Sequence, residues 1–279
     1  MNRERPGDVL CTHKTPRVVA ARRLTTRSGR TESGRFLAEG AQAVREALRH
    51  GRVHELFVTE PATRRHGELV READAIGARV SAIDARAAEL LSETVTPQGI
   101  AAVCDTVEVP LAEALAGAPR LVAVLVGVAD PGNAGTVLRV ADAAGADAVL
   151  FAGDSVDVHN GKCVRASTGS LFHLPVARGR EVEDVLTACS AAGLRLLAAD
   201  GHAEHALEDG LAGHGGLASP SAWLLGNEAH GLPAEVLARA DHTVRVPIYG
   251  RAESLNLATA AAVCLYASAM AGAGAARRG

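Results

Sequence analysis

Short apolar runs alternate with segments of helical apolar spacing throughout the C-terminal half of the chain. Residues 121–128 form a continuous apolar run rich in β-branched side chains, which is typical of a strand buried on both faces. Similar runs predict further strands at residues 148–152, 194–199, 222–225 and 243–246. A long helix, apolar nearly all round, is predicted from Leu255 to residue 271. This order predicts an α/β domain whose parallel sheet is covered by helices on both faces.

The N-terminal half shows the same alternation on a smaller scale. Helical spacing predicts helices at residues 39–49, 68–76 and 85–93. Apolar runs predict strands at residues 53–59, 78–83 and 99–104. We therefore expect a compact α/β unit without an evident catalytic cluster, followed by a linker with one helical turn over residues 105–119.

Composition and charge narrow the class of protein. The 279 residues are enough for two ordinary domains, and 48% of them are apolar, which fits a globular protein rather than a disordered one. Aromatic residues make up only 3%, so base stacking on aromatic side chains is not expected to be the main binding mode. The net charge is −3, yet residues 1–35 hold nine basic against three acidic side chains. Such a stretch either contacts nucleic-acid phosphates or is a solvated tail.

Cysteine and histidine usage argues against disulfides and metals. The five cysteines lie in apolar runs without metal-ligand spacing, so we expect reduced, buried thiols in a cytosolic protein. No metal is expected, because His202 and His205 do not form an HExxH pair and no third ligand is evident. No membrane contact is expected either, because the N-terminus is polar and the apolar stretch 257–273 is interpreted as too short and too weakly hydrophobic.

Glycines and polar side chains follow three of the predicted strands. The clusters read DPGNAGTVLR at 130–139, LGNEAHGL at 225–232 and VPIYGRAESLNL at 246–257. In open α/β sheets, ligands bind beyond the carboxyl ends of the strands, so the three clusters predict one shared site. That site belongs to the C-terminal half, which leaves a different task to the N-terminal half.

Taken singly, each cluster also has a purely structural explanation. Asn133 lies in the first turn of a predicted helix, where it can complete a turn or cap, and Arg139 projects away from the packing face as a solvated arginine would. Glu228 either binds a ligand group or begins a helix. Ser254 and Asn256 open a buried helix, so they either place polar groups in an enclosed site or simply cap it.

Taken in order, the three clusters strongly resemble motifs one to three of the SpoU (TrmH) family of SPOUT RNA methyltransferases. The segment KCVRASTGSLFHLP at 162–175 is similar to that family's intermediate element. The resemblance covers about residues 120–272, and the N-terminal unit resembles the ribosomal-protein-like substrate-binding domain of many members. The two-domain layout is similar to ribosomal RNA methyltransferases, including antibiotic-resistance enzymes of actinobacteria.

This resemblance implies transfer of a methyl group from S-adenosyl-L-methionine to a ribose 2′-hydroxyl, with 23S ribosomal RNA as the expected substrate and the cytoplasm as the location. It also implies a C-terminal trefoil knot, an exception to the rule of un-knotted connections, and a homodimer. The expected divisions of the chain are a basic tail at 1–13, an RNA substrate-binding domain at 14–107, a linker at 108–119 and a methyltransferase domain at 120–272.

Site residues follow from matching positions to the family's motifs. Five polar residues match catalytic positions: Asn133, Arg139, Glu228, Ser254 and Asn256. Four residues match positions that hold the cofactor through backbone groups and apolar side chains: Gly226, Val246, Ile248 and Leu255. Ala258 departs from the serine of many members, so no hydroxyl role is expected there.

The sequence leaves other interpretations of the function open. A non-catalytic RNA-binding or ribosome-associated protein of the same fold is disfavoured by the intact polar set, and a Rossmann-type nucleotide enzyme by the lack of a glycine fingerprint after the first strand. Transfer RNA is the alternative substrate. The general base is open too, because a guanidinium is not deprotonated in proteins. We expect Arg139 to grip a phosphate, in its own or the partner subunit's site.

Overall fold

The computed structural model describes residues 10–211 and 216–276, which form two compact units. Unit 1 comprises the residues up to Val107 together with Asp157–His173, and unit 2 comprises Glu108–Val156 and the residues from Leu174 onward. Arg3 and Arg5 of the expected basic tail lie outside the described residues.

The strands of the described residues follow the chain in this order: β1 (Arg35–Glu39), β2 (Val53–Val58), β3 (Arg79–Ala82), β4 (Ile100–Asp105), β5 (Leu121–Val126), β6 (Ala148–Ala152), β7 (Val176–Gly179), β8 (Arg195–Ala199), β9 (His205–Ala206), β10 (Ser221–Leu225) and β11 (His242–Arg245).

The helices are these: α1 (Pro16–Arg23), α2 (Arg27–Ser33), α3 (Ala41–His50), α4 (Glu60–Arg65), α5 (Gly67–Ala75), α6 (Ala85–Leu90), α7 (Leu111–Ala114), α8 (Pro131–Ala143), α9 (Gly161–Ser167), α10 (Val182–Ala191), α11 (Leu207–Leu211), α12 (Ala234–Arg239) and α13 (Leu257–Ala276). A single 3₁₀ turn at Ser170–Phe172 follows α9.

Unit 1 contains a four-stranded sheet in the order β1-β4-β2-β3. Strand β4 is antiparallel to both of its neighbours, whereas β2 and β3 are parallel. Three of the predicted helices form within two residues of their expected starts, and α3 begins at Ala41 because Glu39 still belongs to β1. Residues 16–33 form two helices that the sequence pattern did not predict, and Val18 and Ala21 of α1 are buried.

Unit 2 is built on a seven-stranded sheet in the order β7-β6-β5-β10-β8-β11-β9. Every pairing within it is parallel, and β5, β6 and β10 are buried along their whole length. The predicted α/β domain with a parallel sheet is therefore confirmed. Because a strand buried on both faces has no solvated side, these strands are continuous apolar runs rather than alternating ones.

The strand order brings two of the candidate loops together. From β5 the chain moves to β6 and β7 on one side, whereas β10 pairs with β5 on the other side. Leu125 and Leu225 are register partners near the carboxyl ends of β5 and β10. A crevice forms where successive connections leave a strand in opposite directions, and ligand sites of open parallel sheets lie in such crevices.

The segment Asp157–His173, between β6 and β7, packs within unit 1 rather than unit 2. The Arg30 guanidinium binds the Asp157 carboxylate at 2.7 Å, and Arg165 Nη1 lies 2.9 Å from Glu39 Oε2. Hydrophobic periodicity did not indicate this division of the chain, because it depends on partners more than 120 residues away. The domain boundaries stated from the sequence remain a prediction.

Helix α13 begins at Leu257, two residues later than predicted, and contacts α8, β5 and β10. The window Leu257–Gly274 is long and apolar enough to cross a membrane by length and composition, with a mean hydropathy of 1.5. The judgement that this stretch is too short and too weakly hydrophobic is therefore wrong on those two criteria. Helix α13 is nevertheless bound to the sheet of unit 2, since the indole Nε1 of Trp223 in β10 donates a hydrogen bond to Ser268 Oγ of α13 at 2.9 Å.

Candidate active site

The first polar cluster forms the loop after β5 and the start of α8. Asp130 has extended backbone geometry and caps the helix, because its Oδ1 accepts a hydrogen bond from the Asn133 N–H at 2.8 Å. Pro131 occupies the first turn, where the missing N–H costs nothing. The cap fixes where α8 begins and therefore where the Asn133 side chain lies.

Glu228, in the turn after β10, binds the start of this loop. Its Oε1 accepts hydrogen bonds from the Asp130 N–H at 3.2 Å and from Asn133 Nδ2 at 3.0 Å. Its Oε2 accepts one from the Ala129 N–H at 3.3 Å. Glu228 therefore neither begins a helix nor binds an arginine among the described residues: it clamps the β5–α8 loop.

Asn133 joins all three clusters. While its Nδ2 donates to Glu228, its Oδ1 accepts a hydrogen bond from Asn256 Nδ2 at 3.0 Å. Asn256 Oδ1 in turn caps α13 by accepting from the Ala258 N–H at 2.9 Å. Each amide has its oxygen and nitrogen fixed by its partners, since a carboxylate only accepts and a helix N–H only donates. The expectation that the three clusters meet at one site agrees with this continuous chain of hydrogen bonds.

Ionisation of Glu228 is favoured by this clamp. Partial burial alone would raise the pKa of Glu228, but the hydrogen bonds from Asn133 and from the backbone N–H groups stabilise the carboxylate, and the net pKa is lowered. An anion that already accepts three hydrogen bonds and has a lowered pKa is a weaker proton acceptor than an ordinary carboxylate. The geometry therefore favours a positioning role for Glu228 over that of a general base.

Gly226 is required by the loop's own backbone. A Cβ on Gly226 would lie 2.3 Å from the carbonyl carbon of Gly231, which is far inside van der Waals contact. Asn227 and Gly231 exchange two backbone hydrogen bonds across this tight loop. The Asn227 Nδ2 also donates to the Gly127 carbonyl at 2.8 Å, which ties the loop to the end of β5. The loop shape that presents Glu228 thus depends on a residue without a side chain.

The segment after β11 has the composition of a ligand-binding loop. Between Val246 and Leu255, no backbone hydrogen bond to another described residue is found. Ile248 and Leu255 are exposed. The segment is anchored at Tyr249, whose hydroxyl donates to Glu208 Oε2 at 2.8 Å. Backbone donors and acceptors beside exposed apolar side chains fit a ligand that offers both polar and apolar groups.

The remaining two predicted catalytic residues are not joined to this network. Arg139 is exposed on α8 and makes no hydrogen bond or ion pair with another described residue. Ser254 is exposed as well, and no hydrogen bond joins it to the rest of the described chain. Asp130, which the sequence predicts as a helix cap, and Asn227 also belong to this site, although neither is among the residues matched to the family's motifs. The signal for Asp130 was its position before Pro131, which is typical of a helix cap.

Unit 1 carries a set of exposed cations near its N-terminus. Arg30 is buried against Asp157, and Arg17 lies 3.1 Å from Glu55, so neither is free for another anion. Four others are exposed and form no ion pair within the described ranges: Lys14, Arg22, Arg23 and Arg27. These four are the candidates for phosphate contacts that the basic N-terminal stretch predicts.

Both units match family models. Residues 120–266 match the SpoU rRNA methylase family, and residues 37–110 match the RNA 2′-O ribose methyltransferase substrate-binding domain. The first match spans more than half of the 279 residues. The chain belongs to the SpoU rRNA methylase family.

Individual relatives agree with this assignment. The 23S rRNA (guanosine(2553)-2′-O)-methyltransferase RlmP of Bacillus subtilis is 37% identical, over 91% of this chain and 96% of the relative. The 23S rRNA (uridine(2479)-2′-O)-methyltransferase of Streptomyces viridochromogenes is 33% identical, over 90% and 92%. The crystal structure of AviRb from the same organism with AdoMet superposes with a TM-score of 0.77 at 31% identity, over 91% of this chain and 98% of that one.

The protein is therefore an RNA ribose 2′-O-methyltransferase, and S-adenosyl-L-methionine is its methyl donor. This agrees with the unpaired backbone and exposed apolar side chains of the segment after β11. The two-unit layout of an RNA-binding module and a methyltransferase module is likewise confirmed at the level of the fold.

Proposed function

We propose that methyl transfer takes place at the carboxyl edge of the unit 2 sheet, on a ribose 2′-hydroxyl of 23S ribosomal RNA. One observation carries this proposal: the hydrogen-bond chain from Asn256 through Asn133 to Glu228, which unites loops after β5, β10 and β11. The hydrogen-bonded residues are more than 90 positions apart in the sequence, so this polar network holds separate loops in one arrangement. Such preorganisation is what positioning of two bound reactants requires.

The three network residues position the loops. Glu228 stays ionised and clamps the β5–α8 loop. Asn133 lies in this loop and fixes Asn256 through a second hydrogen bond. Asn256 sets the first turn of α13, so its cap also places the loop from Val246 to Leu255. We assign all three to the catalytic site because loss of any one would release a loop that faces a reactant.

When bound, S-adenosyl-L-methionine would supply an electrophilic methyl group to the ribose 2′-oxygen, and S-adenosyl-L-homocysteine would leave. Gly226, Val246, Ile248 and Leu255 would hold that cofactor through backbone groups and apolar contacts. Arg139 grips an RNA phosphate with its planar fork and so orients the hydroxyl. Ser254 donates to the same substrate, and water or an RNA phosphate takes the proton.

Unit 1 provides most of the affinity for RNA. Lys14, Arg22, Arg23 and Arg27 present positive charge to the phosphates, and specificity comes from the shape of the RNA. Two relatives that this chain matches over nearly their whole length are named as 23S ribosomal RNA methyltransferases, which supports this substrate rather than transfer RNA. A role in antibiotic resistance would depend on which 23S nucleotide is methylated, because only a methyl group near a drug site blocks the drug.

We further propose a homodimer, in which α13 of one subunit packs against its partner. Three apolar side chains lie exposed on one face of this helix: Val263, Tyr266 and Met270. Their spacing of three and four residues forms a continuous stripe. A dimer would cover this stripe without a membrane, which agrees with a cytoplasmic enzyme. The trefoil knot around the segment after β11 belongs to the same proposal and rests on the family resemblance.

The experiment measures methyl transfer from labelled S-adenosyl-L-methionine to 23S ribosomal RNA by the full-length protein. The 2′-O position is read from resistance of the modified linkage to alkaline cleavage. Arg139→Lys keeps the charge but loses the planar fork, so we expect kcat/KM to fall at least about tenfold. Cofactor binding, followed by calorimetry, should not change in this variant.

Arg180→Lys is the matched control. Arg180 is exposed in the same unit and makes no hydrogen bond to another described residue, so its variant should keep the wild-type rate. An Arg139→Lys protein that methylates at the wild-type rate would refute the phosphate grip. Failure of the wild-type chain to methylate 23S ribosomal RNA, together with methylation of transfer RNA, would refute the proposed substrate.

A further inference from the structure

Unit 1 contains a cluster of two histidines and a carboxylate that methyl transfer does not use. Glu46 and His50 lie four residues apart on α3, so their side chains share one face of that helix. His173 ends the segment Asp157–His173, just after the 3₁₀ turn. The possible ligand atoms of these three residues all lie within 4.8 Å of one another.

The distances in this cluster are compatible with three ligands of one metal ion, although Glu46 Oε2 and His173 Nε2 also lie within hydrogen-bond distance of each other. Glu46 Oε2 lies 3.2 Å from His173 Nε2 and 3.7 Å from His50 Nε2. The longer of these exceeds a hydrogen bond. Bonds of about 2.0–2.1 Å at tetrahedral angles hold two ligands of one zinc ion roughly 3.3–3.4 Å apart. Both observed distances lie within a few tenths of an ångström of that spacing.

The carboxylate is also oriented as a ligand would be. Glu46 Oε1 accepts a hydrogen bond from Gln42 Nε2 at 3.1 Å, which leaves Oε2 directed at the two histidines. Gly169 packs against the same side chain, since a Cβ there would lie 2.2 Å from Glu46 Cγ. Outer hydrogen bonds and close packing of this kind hold metal ligands in place in known sites.

We propose that Glu46, His50 and His173 bind one Zn²⁺ ion, with water in the fourth position. Two imidazoles and one carboxylate are a common zinc ligand set, whereas Mg²⁺ prefers oxygen ligands alone. Half of the His50 side chain is exposed, so an ion has a path to the site. The ion fastens α3 to the segment that ends at His173. This proposal departs from the expectation of no metal, which among the histidines considered only His202 and His205; His50 and His173 lie 123 residues apart in the sequence, so their spacing gave no metal-ligand pattern.

The test adds Zn²⁺ to the full-length chain after treatment with a chelator and measures bound metal by equilibrium dialysis. We expect one Zn²⁺ per chain at micromolar concentration. His50→Gln and His173→Gln should each weaken binding at least about 100-fold, because each removes a direct ligand. Dialysis under native conditions is preferred to a thermal shift, since unfolded chains bind zinc through cysteine and histidine.

Co²⁺ substitution identifies the ligands. The expected spectrum has the visible bands of tetrahedral Co²⁺ and lacks thiolate charge-transfer bands, because all five cysteines are buried and none belongs to this cluster of possible ligands. His54→Gln is the matched control, since His54 pairs with Asp105 elsewhere in unit 1 and should bind Zn²⁺ as the wild type does.

Three results would each overturn the proposal: no Zn²⁺ binding up to millimolar concentration, equal binding by wild type and the two histidine variants, or equal affinity for Mg²⁺. The first two would leave Glu46 as the centre of a simple ion-pair cluster. Because the readout is metal content, it is independent of methyl transfer.

Discussion

Arg30 and Asp157 form a buried ion pair inside unit 1. The guanidinium donates to Asp157 Oδ2 from Nε at 2.8 Å and also to the Leu24 carbonyl at 2.9 Å. Burial alone would raise the pKa of Asp157, but hydrogen bonds from His159 and Arg30 and the charge of Arg30 outweigh it and hold the pKa well below its usual range. The pair therefore contributes stability only while Asp157 is ionised.

Asp157→Asn should destabilise unit 1 by about 2–3 kcal/mol at pH 7, because it leaves the Arg30 charge buried without a partner. A lowered folded-state pKa gives stability that is present above the unfolded value of about 3.9 and lost as the pH falls toward the folded value. The difference between wild type and variant should thus be constant from pH 7 to about pH 4 and shrink below it. Urea unfolding followed by circular dichroism at each pH measures this difference.

An exposed ion pair of the same unit serves as the control for that experiment. Glu60 and Arg64 lie on the surface of α4 at 2.7 Å, with both side chains mostly exposed. Glu60→Gln should change the free energy of unfolding by no more than about 0.5 kcal/mol, since surface pairs contribute little. A pH-independent difference for Asp157→Asn would contradict the role of the ionised carboxylate.

At the scale of elements, the β10–α12 loop is the feature most sensitive to a small change. Gly226→Ala would force the backbone of Gly231 to move, because the new Cβ would lie 2.3 Å from its carbonyl carbon. Glu228 lies between these residues and would shift away from Asn133. Since a displacement of about 1 Å can cost 10²-fold in rate, we expect methylation to fall about 100-fold while unit 2 remains folded. The assay is methyl transfer, with near-ultraviolet circular dichroism of Trp223 as the folding check.

Gly201→Ala is the control, since a Cβ on Gly201 meets no atom within 4 Å and that residue also follows a strand of unit 2. It should methylate at the wild-type rate. Full activity of Gly226→Ala would mean that the position of Glu228 does not matter for the reaction.

Hydrophobic periodicity predicted the elements that depend on local sequence and missed those that depend on distant partners. Strand β6 has the predicted bounds, because a run of five consecutive apolar residues is typical of a strand buried on both faces. Helix α9 was missed because its partners in β1 lie more than 120 residues away, and β7 was missed because it is only four residues long. The meeting of the three clusters was predicted, whereas the partners of Glu228 were not, because they depend on β10 pairing with β5.

At the scale of the whole molecule, the exposed stripe on α13 bears on assembly. Met270→Glu would place a carboxylate in the proposed apolar interface, where burial of an unpaired charge costs several kcal/mol. We expect the dimer dissociation constant to rise at least about 100-fold. Analytical ultracentrifugation of the full-length protein over a range of concentrations measures this constant.

Ile76→Glu is the matched control for assembly, because Ile76 is similarly exposed but lies at the end of α5 in unit 1. Its variant should sediment as the wild type does. A wild-type protein that is monomeric at micromolar concentration, or a Met270→Glu protein that remains a dimer of unchanged affinity, would contradict the α13 interface.

The position of Asp157–His173 has a consequence for synthesis on the ribosome. Unit 1 buries Cys163, Val164 and Leu171 of this segment, so its packing cannot be completed until residue 173 has been made. By then β5 and β6 of unit 2 have already been synthesised. Domains of a growing chain ordinarily fold one after the other from the N-terminus. In this protein unit 1 can complete its packing only after part of unit 2 has been synthesised, although it begins first.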